Sequence, residues 1–172
     1  MSVIDFNALP DSARIWIYGM NVPLHSEQAA DITAQMNRFL PLWTAHKREL
    51  STAWTLTYNR FLMIGVDESS MTASGCSLDK LIKYLQALEQ RVGVEMVNSA
   101  SKVFYRDHSK NIVCVSRTVF KSLVKNGTVD EETVVFNNVI QSVGELRNGK
   151  WELPMRNSWH FQAFPVGLLT SE

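Results

Sequence analysis

Trp54-Thr55-Leu56-Thr57-Tyr58-Asn59-Arg60-Phe61-Leu62-Met63-Ile64-Gly65-Val66 carries two patterns in one short run. Trp54, Leu56 and Tyr58 alternate with Thr55 and Thr57, the period of a strand with one face toward a core. Phe61 to Val66 lacks any polar side chain, as a strand buried on both faces requires. Asn59-Arg60 separates the two runs with residues suited to a tight turn. The segment therefore predicts a β-hairpin whose second strand lies centrally in its sheet.

Outward from the hairpin, residues 13–18 are β-branched and aromatic and are closed by Gly19, which predicts an earlier strand. After Pro23, the positions Ala29, Ile32, Met36, Phe39, Leu40 and Trp43 recur at helical spacing; Ser26 is better suited than His25 to cap this helix, and Pro41 to end or kink it. Beyond Gly75, a stripe of Leu78, Leu81, Ile82, Leu85, Leu88 and Val92 predicts a second amphipathic helix. With residues 102–106 as a further strand, the β-α-β-β-α order matches the split β-α-β pattern. The fold class read from this order is α+β, with a ferredoxin-like core over residues 1–107: an antiparallel sheet with its helices on one face.

The texture changes after Asp107-His108-Ser109-Lys110. A strand at residues 112–115, a short helix at 117–125 stopped by Gly127, and an extended stretch at 133–136 predict a C-terminal α/β extension or subdomain, residues 108–172, packed on the core. From Lys150 to Phe161 the chain is aromatic without a period and reads as irregular, with residues 165–172 as a frayed end.

The 172 residues, 45% of them hydrophobic, can bury a core without a metal or disulfide staple. Lys+Arg and Asp+Glu balance at 17 each, so no global field draws the chain to nucleic acid or an anionic membrane. A basic, partly aromatic middle containing Lys102, Phe104, Tyr105, Arg106 and Lys110 is the feature an RNA-binding reading would use, but it lacks the aromatic signature of an RRM. No apolar run approaches the roughly 20 residues of a membrane span, and no basic region precedes an apolar run at the N-terminus. Cys76 and Cys114 lack metal-type spacing and read as free thiols of a reducing, cytoplasmic compartment.

Taken together, residues 13–18, Trp43-Thr44-Ala45-His46, Tyr58-Asn59-Arg60-Phe61, Ser74-Gly75-Cys76-Ser77-x-Asp79-Lys80, Phe136-Asn137-Asn138 and Ser158-Trp159-His160 resemble a small bacterial family familiar from Bacteroidetes. Its members often carry the label ABC-transporter ATPase, and the resemblance implies no activity beyond that label. Gly144-Glu145-Leu146-Arg147-Asn148-Gly149-Lys150 has the glycine and lysine spacing of a P-loop. Trp151 stands where the magnesium-binding hydroxyl belongs, and Pro154 opposes the helix that should follow, so the stretch reads as a polar turn. The ATPase label is therefore not expected to hold, and no cofactor is named.

The candidate site lies in the run from Asp67 to Lys80. Cys76 falls at a helix start, where unpaired N–H groups favour a thiolate or an anion. A thiol enzyme would use Cys76 as nucleophile with His46 or His160 as base; the competing role for Cys76 is packing, which the usual burial of cysteine favours. Asp67 and Glu68, at a strand end, are candidate ligand contacts or helix caps, and Ser74, Gly75 and Ser77 offer hydroxyls and backbone N–H groups. Trp159 is a candidate pocket wall beside His160, and Asn137-Asn138 reads as a turn. The leading expectation is a small-ligand or partner-binding domain using the loop before the second helix. A small anionic ligand, a protein partner or a second copy of the chain are the expected partners; nucleic acid and membrane are not.

Overall fold

The computed structural model describes residues 4–45, 48–49, 51–69 and 72–166. In chain order the elements are β1 (Arg14–Gly19), α1 (Ser26–Phe39), the two-residue strands β2 (Thr44–Ala45) and β3 (Arg48–Glu49), β4 (Ser51–Thr57), β5 (Phe61–Asp67) and α2 (Gly75–Val92). They continue with β6 (Lys102–Arg106), β7 (Ile112–Ser116), α3 (Arg117–Lys125), β8 (Val134–Phe136), α4 (Val143–Arg147), β9 (Glu152–Pro154) and α5 (Trp159–Ala163). The class is α+β with antiparallel sheets.

The hairpin forms as its sequence predicts. Thr57 pairs with Phe61, and Tyr58 and Asn59 take the positive φ values of 57° and 49° that a tight turn demands. β5 lies between β1 and β4 in a three-stranded sheet, and residues 61–66 are buried on both faces. Leu62, Ile64 and Val66 point toward α1 and α2, meeting Ile32, Met36, Leu81 and Leu85. Phe61 and Met63 point the opposite way, into a second cluster with Phe104, Phe136 and Trp151. Strand periodicity alone dictates this division.

The second sheet has the order β7-β6-β8-β9. Residues 102–106 form a strand, as predicted, but it pairs with β7 and β8 instead of joining β1 as a fourth strand of the first sheet. The reason is visible in its side chains. Phe104 enters the second cluster, while Val103 and Tyr105 enter a third with Phe120, Val124 and Val135. Both faces of β6 are thus apolar, and it is buried between the first sheet and α3. The result is four layers: α1 and α2, the first sheet, the second sheet, then α3 and α5. Residue 107 falls in the turn joining two paired strands, β6 and β7, and the second cluster draws on residues to either side of it.

Two details differ from the sequence reading. His25, not Ser26, occupies the N-cap of α1, and its backbone N–H donates to Gln28 Oε1 at 2.9 Å. The stretch after Lys150 is ordered as β9 and α5 because Trp151, Met155 and Phe164 are drawn into two clusters. Most of the expected frayed end, residues 167–172, lies outside the described residues.

The sheets approach closely at Gly19, where an added Cβ would meet Phe104 ring atoms at 2.5 and 2.7 Å. Phe104 is itself wedged 5.2 Å from the Phe61 ring centroid and is fully buried, so it cannot swing out. Gly19→Ala is expected to lower stability by about 2 kcal/mol in urea unfolding, the usual cost of overpacking a core. An unchanged midpoint would show that the inter-sheet space is looser than this packing requires.

Candidate functional site

The start of α2 is the first place to look. Ser74 is its N-cap, accepting from the Ser77 N–H at 3.2 Å, while Ser77 Oγ donates to the Ser74 carbonyl at 2.7 Å. Ser77 is buried, and its own carbonyl accepts from Trp43 Nε1 at 2.7 Å. Glu68 Oε1 accepts from the Ala73 N–H and Asp67 Oδ1 from the Ser69 N–H, both at 2.9 Å. The serine hydroxyls and the acidic side chains are therefore engaged in building the loop. Two carboxylates beside a helix start also oppose a bound anion. Gly75 is exposed, with open space around it.

Cys76 is exposed, so the packing role expected of it does not hold. At the second position of the helix it points away from the Leu81, Leu85 and Leu88 stripe. No described histidine accompanies it. His25 sits near the far end of α2, where Gln28 Nε2 donates to the Val92 carbonyl, and 16 residues of helix span about 24 Å. His160 lies in the opposite outer layer, against Phe120. His46 lies outside the described residues. The structure thus brings Asp67, Glu68, Ser74, Gly75, Cys76 and Ser77 together in one loop and separates all of them from His160 and Trp159.

His160 and Trp159 line a different feature, an open cleft of about 460 Å³ in the second sheet. Its origin is a fault in strand pairing. β6 pairs with β7 along its whole length but with β8 only at Tyr105–Val135, so the start of β6 and the chain after Phe136 diverge. Phe104 and Phe136 form apolar wall, Val139, 63% exposed, stands at the mouth, and Trp159 and His160 contribute from α5. The interval lies within the range of small-molecule sites.

The polar groups of this cleft are mainly donors. Trp159 Nε1 is buried without a hydrogen-bond partner, one of two such side-chain atoms among the described residues; the other is Asn137 Oδ1, next to the cleft residue Asn138. The Arg117 guanidinium stacks over the Trp159 ring at 5.2 Å and the Phe164 ring at 5.4 Å and has no carboxylate partner among the described residues. Lys102 lies 3.7 Å from Glu95 Oε2. Asn138 Oδ1 is occupied by Trp151 Nε1 at 2.9 Å. No acidic side chain lines the opening.

His160 is buried, with Nδ1 2.7 Å from Ser158 Oγ. Burial, reinforced by the Arg117 charge, pushes its imidazole down to about 4. The ring is neutral near pH 7. Ser158 is buried and absent from the cleft wall, so this pair has no access to a reactant as a nucleophile and base.

Sequence reading singled out Trp159 and His160 but missed Arg117, Lys102, Phe104 and Phe136 as their companions. Arg117 at a helix start and Lys102 at a strand start carry no local signature of a shared site. Asn137-Asn138 marked the turn that opens the cleft. Comparison with family models, with curated proteins and with solved structures found no match.

Proposed function

We propose that this chain is a small-ligand-binding α+β protein whose site is the cleft between the start of β6 and the chain after β8. The observation that carries this reading is that Trp159, whose indole N–H is buried without an acceptor, lines an opening large enough for a small molecule. A buried unsatisfied donor costs about 1–3 kcal/mol, and a ligand acceptor that reaches it from the cleft removes that cost. The sequence pointed to the loop before α2. The engagement of that loop's carboxylates and serine hydroxyls in its own structure moves the reading to the cleft.

A thiol enzyme is less well supported, because Cys76 has no described histidine beside it. The ATPase label has little support either. Gly144 lies within α4 against the Asp11 carbonyl, Gly149 takes the left-handed conformation after it, and Trp151 is buried. We read the first sheet, with β5 inserted between the parallel β1 and β4, as three strands of a ferredoxin-like arrangement.

The test is a thermal-shift screen of small organic metabolites against the wild type and Trp159→Phe. Ligands that stabilise the wild type are expected to lose at least about tenfold in affinity with the variant. Absence of any stabilising ligand, or ligands bound equally by both proteins, would overturn the reading.

A further inference from the structure

We propose that the ligand of this cleft is a free small carboxylic acid, a single carboxylate on a flat apolar body; this rests on the cleft being the binding site. Three features of the cleft select that chemistry. First, the lining side chains left without a partner among the described residues carry hydrogen-bond donors, the Trp159 N–H and the Arg117 guanidinium, with no lining carboxylate to receive a cation. Such a set favours an acceptor of negative charge.

Second, the charge is modest. Lys102 already faces Glu95 at 3.7 Å, so of the two cations that line the cleft only Arg117 has no acidic partner among the described residues. One net positive charge matches a monoanion. A polyphosphate needs more cations, and the lining side chains supply only Lys102 and Arg117. Third, the remaining wall is apolar and aromatic. Phe104, Phe136 and Trp159 offer ring surface to a flat body, and the unit charge is held by a guanidinium already fixed over an indole.

A peptide C-terminus would present the same carboxylate, so the probes must separate the two sources. They are 3-phenylpropionate, its neutral amide 3-phenylpropionamide, acetate, inorganic phosphate, and a tetrapeptide ending in a free phenylalanine carboxylate. The readout is the indole N–H resonance of Trp159 in a ¹H–¹⁵N spectrum of the full chain, assigned by its absence from Trp159→Phe. Phenylpropionate is expected to shift that resonance saturably, the amide to bind at least about tenfold more weakly, and acetate and phosphate to leave it unmoved. Arg117→Gln, at an exposed helix position, is expected to reduce phenylpropionate affinity by about tenfold while its amide affinity stays within about twofold.

Equal affinity for acid and amide would overturn the carboxylate while leaving a ligand cleft intact. A phosphate-induced shift matching that of phenylpropionate would overturn the monoanion, and tighter binding of the tetrapeptide would overturn the free-acid source. If neither phenylpropionate nor its amide moves the resonance while screened ligands do, the inferred chemistry fails and the cleft stands. If no screened ligand moves it either, the binding reading itself fails.

Discussion

Arg60→Met is expected to lower the stability of the folded chain by about 3 kcal/mol or more, read as a fall in the urea midpoint without change in slope. Arg60 belongs to the turn between β4 and β5, yet only 6% of its surface is exposed. Its Nε donates to the Met20 carbonyl at 3.2 Å, one terminal nitrogen to Ile112 at 3.0 Å and the other to Asn21 at 2.9 Å. The guanidinium thereby ties together the end of β1, the hairpin turn and the first residue of β7 in the other sheet. Burial pulls its pKa down, opposed by a neighbouring Cys114 thiol. Its charge is held by carbonyl dipoles.

Replacing a buried ion pair with apolar residues can be neutral, because both charged partners leave together. Here the acceptors are backbone carbonyls, and no substitution removes them. Methionine keeps much of the side-chain volume but leaves three acceptors without donors, each costing on the order of 1 kcal/mol if water reaches it and more if not. Arg60→Lys retains the charge but not the planar fork, so it should recover less than half of the loss. A loss below about 1 kcal/mol for methionine would show that the sheets hold their register without this residue.

Local pattern sufficed where one element's burial is set by its own neighbours in sequence. The alternation through Trp54, Leu56 and Tyr58, the apolar run of β5 and the stripe of α2 each define a face, and a face defines an element. Gly127, at φ 76° just after α3, ends its helix for a reason internal to the residue. Which sheet a strand joins is a different matter. β6 reads Lys102-Val103-Phe104-Tyr105-Arg106, and nothing in those five residues says whether the partner is β1 or β8. Non-local packing of Phe104 against Phe61, and of Tyr105 against Phe120, decides it.

The same limit governed the site. The helix-start thiol was legible because capping is local, and its surroundings were not, because His160 belongs to a different layer, against Phe120. Trp159 and His160 stood out by residue type. Their setting depends on α5 folding back over the second sheet, with Phe164 packed 5.0 Å from Phe120. The aromatic density that looked irregular in sequence is the packing that orders this segment.

That burial makes His160 a source of acid sensitivity, and the sign follows from its lowered pKa. An accessible histidine titrates near 6.5, whereas His160 in the folded chain stays neutral down to about 4. Above about pH 6.5 neither state carries the proton and the residue contributes no pH dependence. As pH falls from there toward 4, the unfolded chain binds a proton that the folded chain refuses, so stability falls. The total loss approaches about 3 kcal/mol and levels off once the native imidazole is itself protonated. Carboxylates add their own acid dependence, so the comparison must be with a variant. His160→Asn keeps a polar atom near Ser158 Oγ and removes the titration. It is expected to be less stable than the wild type near neutral pH through lost packing against Phe120 and Trp159, with the gap closing by up to about 3 kcal/mol between about pH 7 and pH 4. Urea unfolding of both proteins across that range measures it. Parallel curves would mean that His160 takes up its proton in the native state, and hence that the Arg117 side of the cleft admits enough water to solvate a second cation.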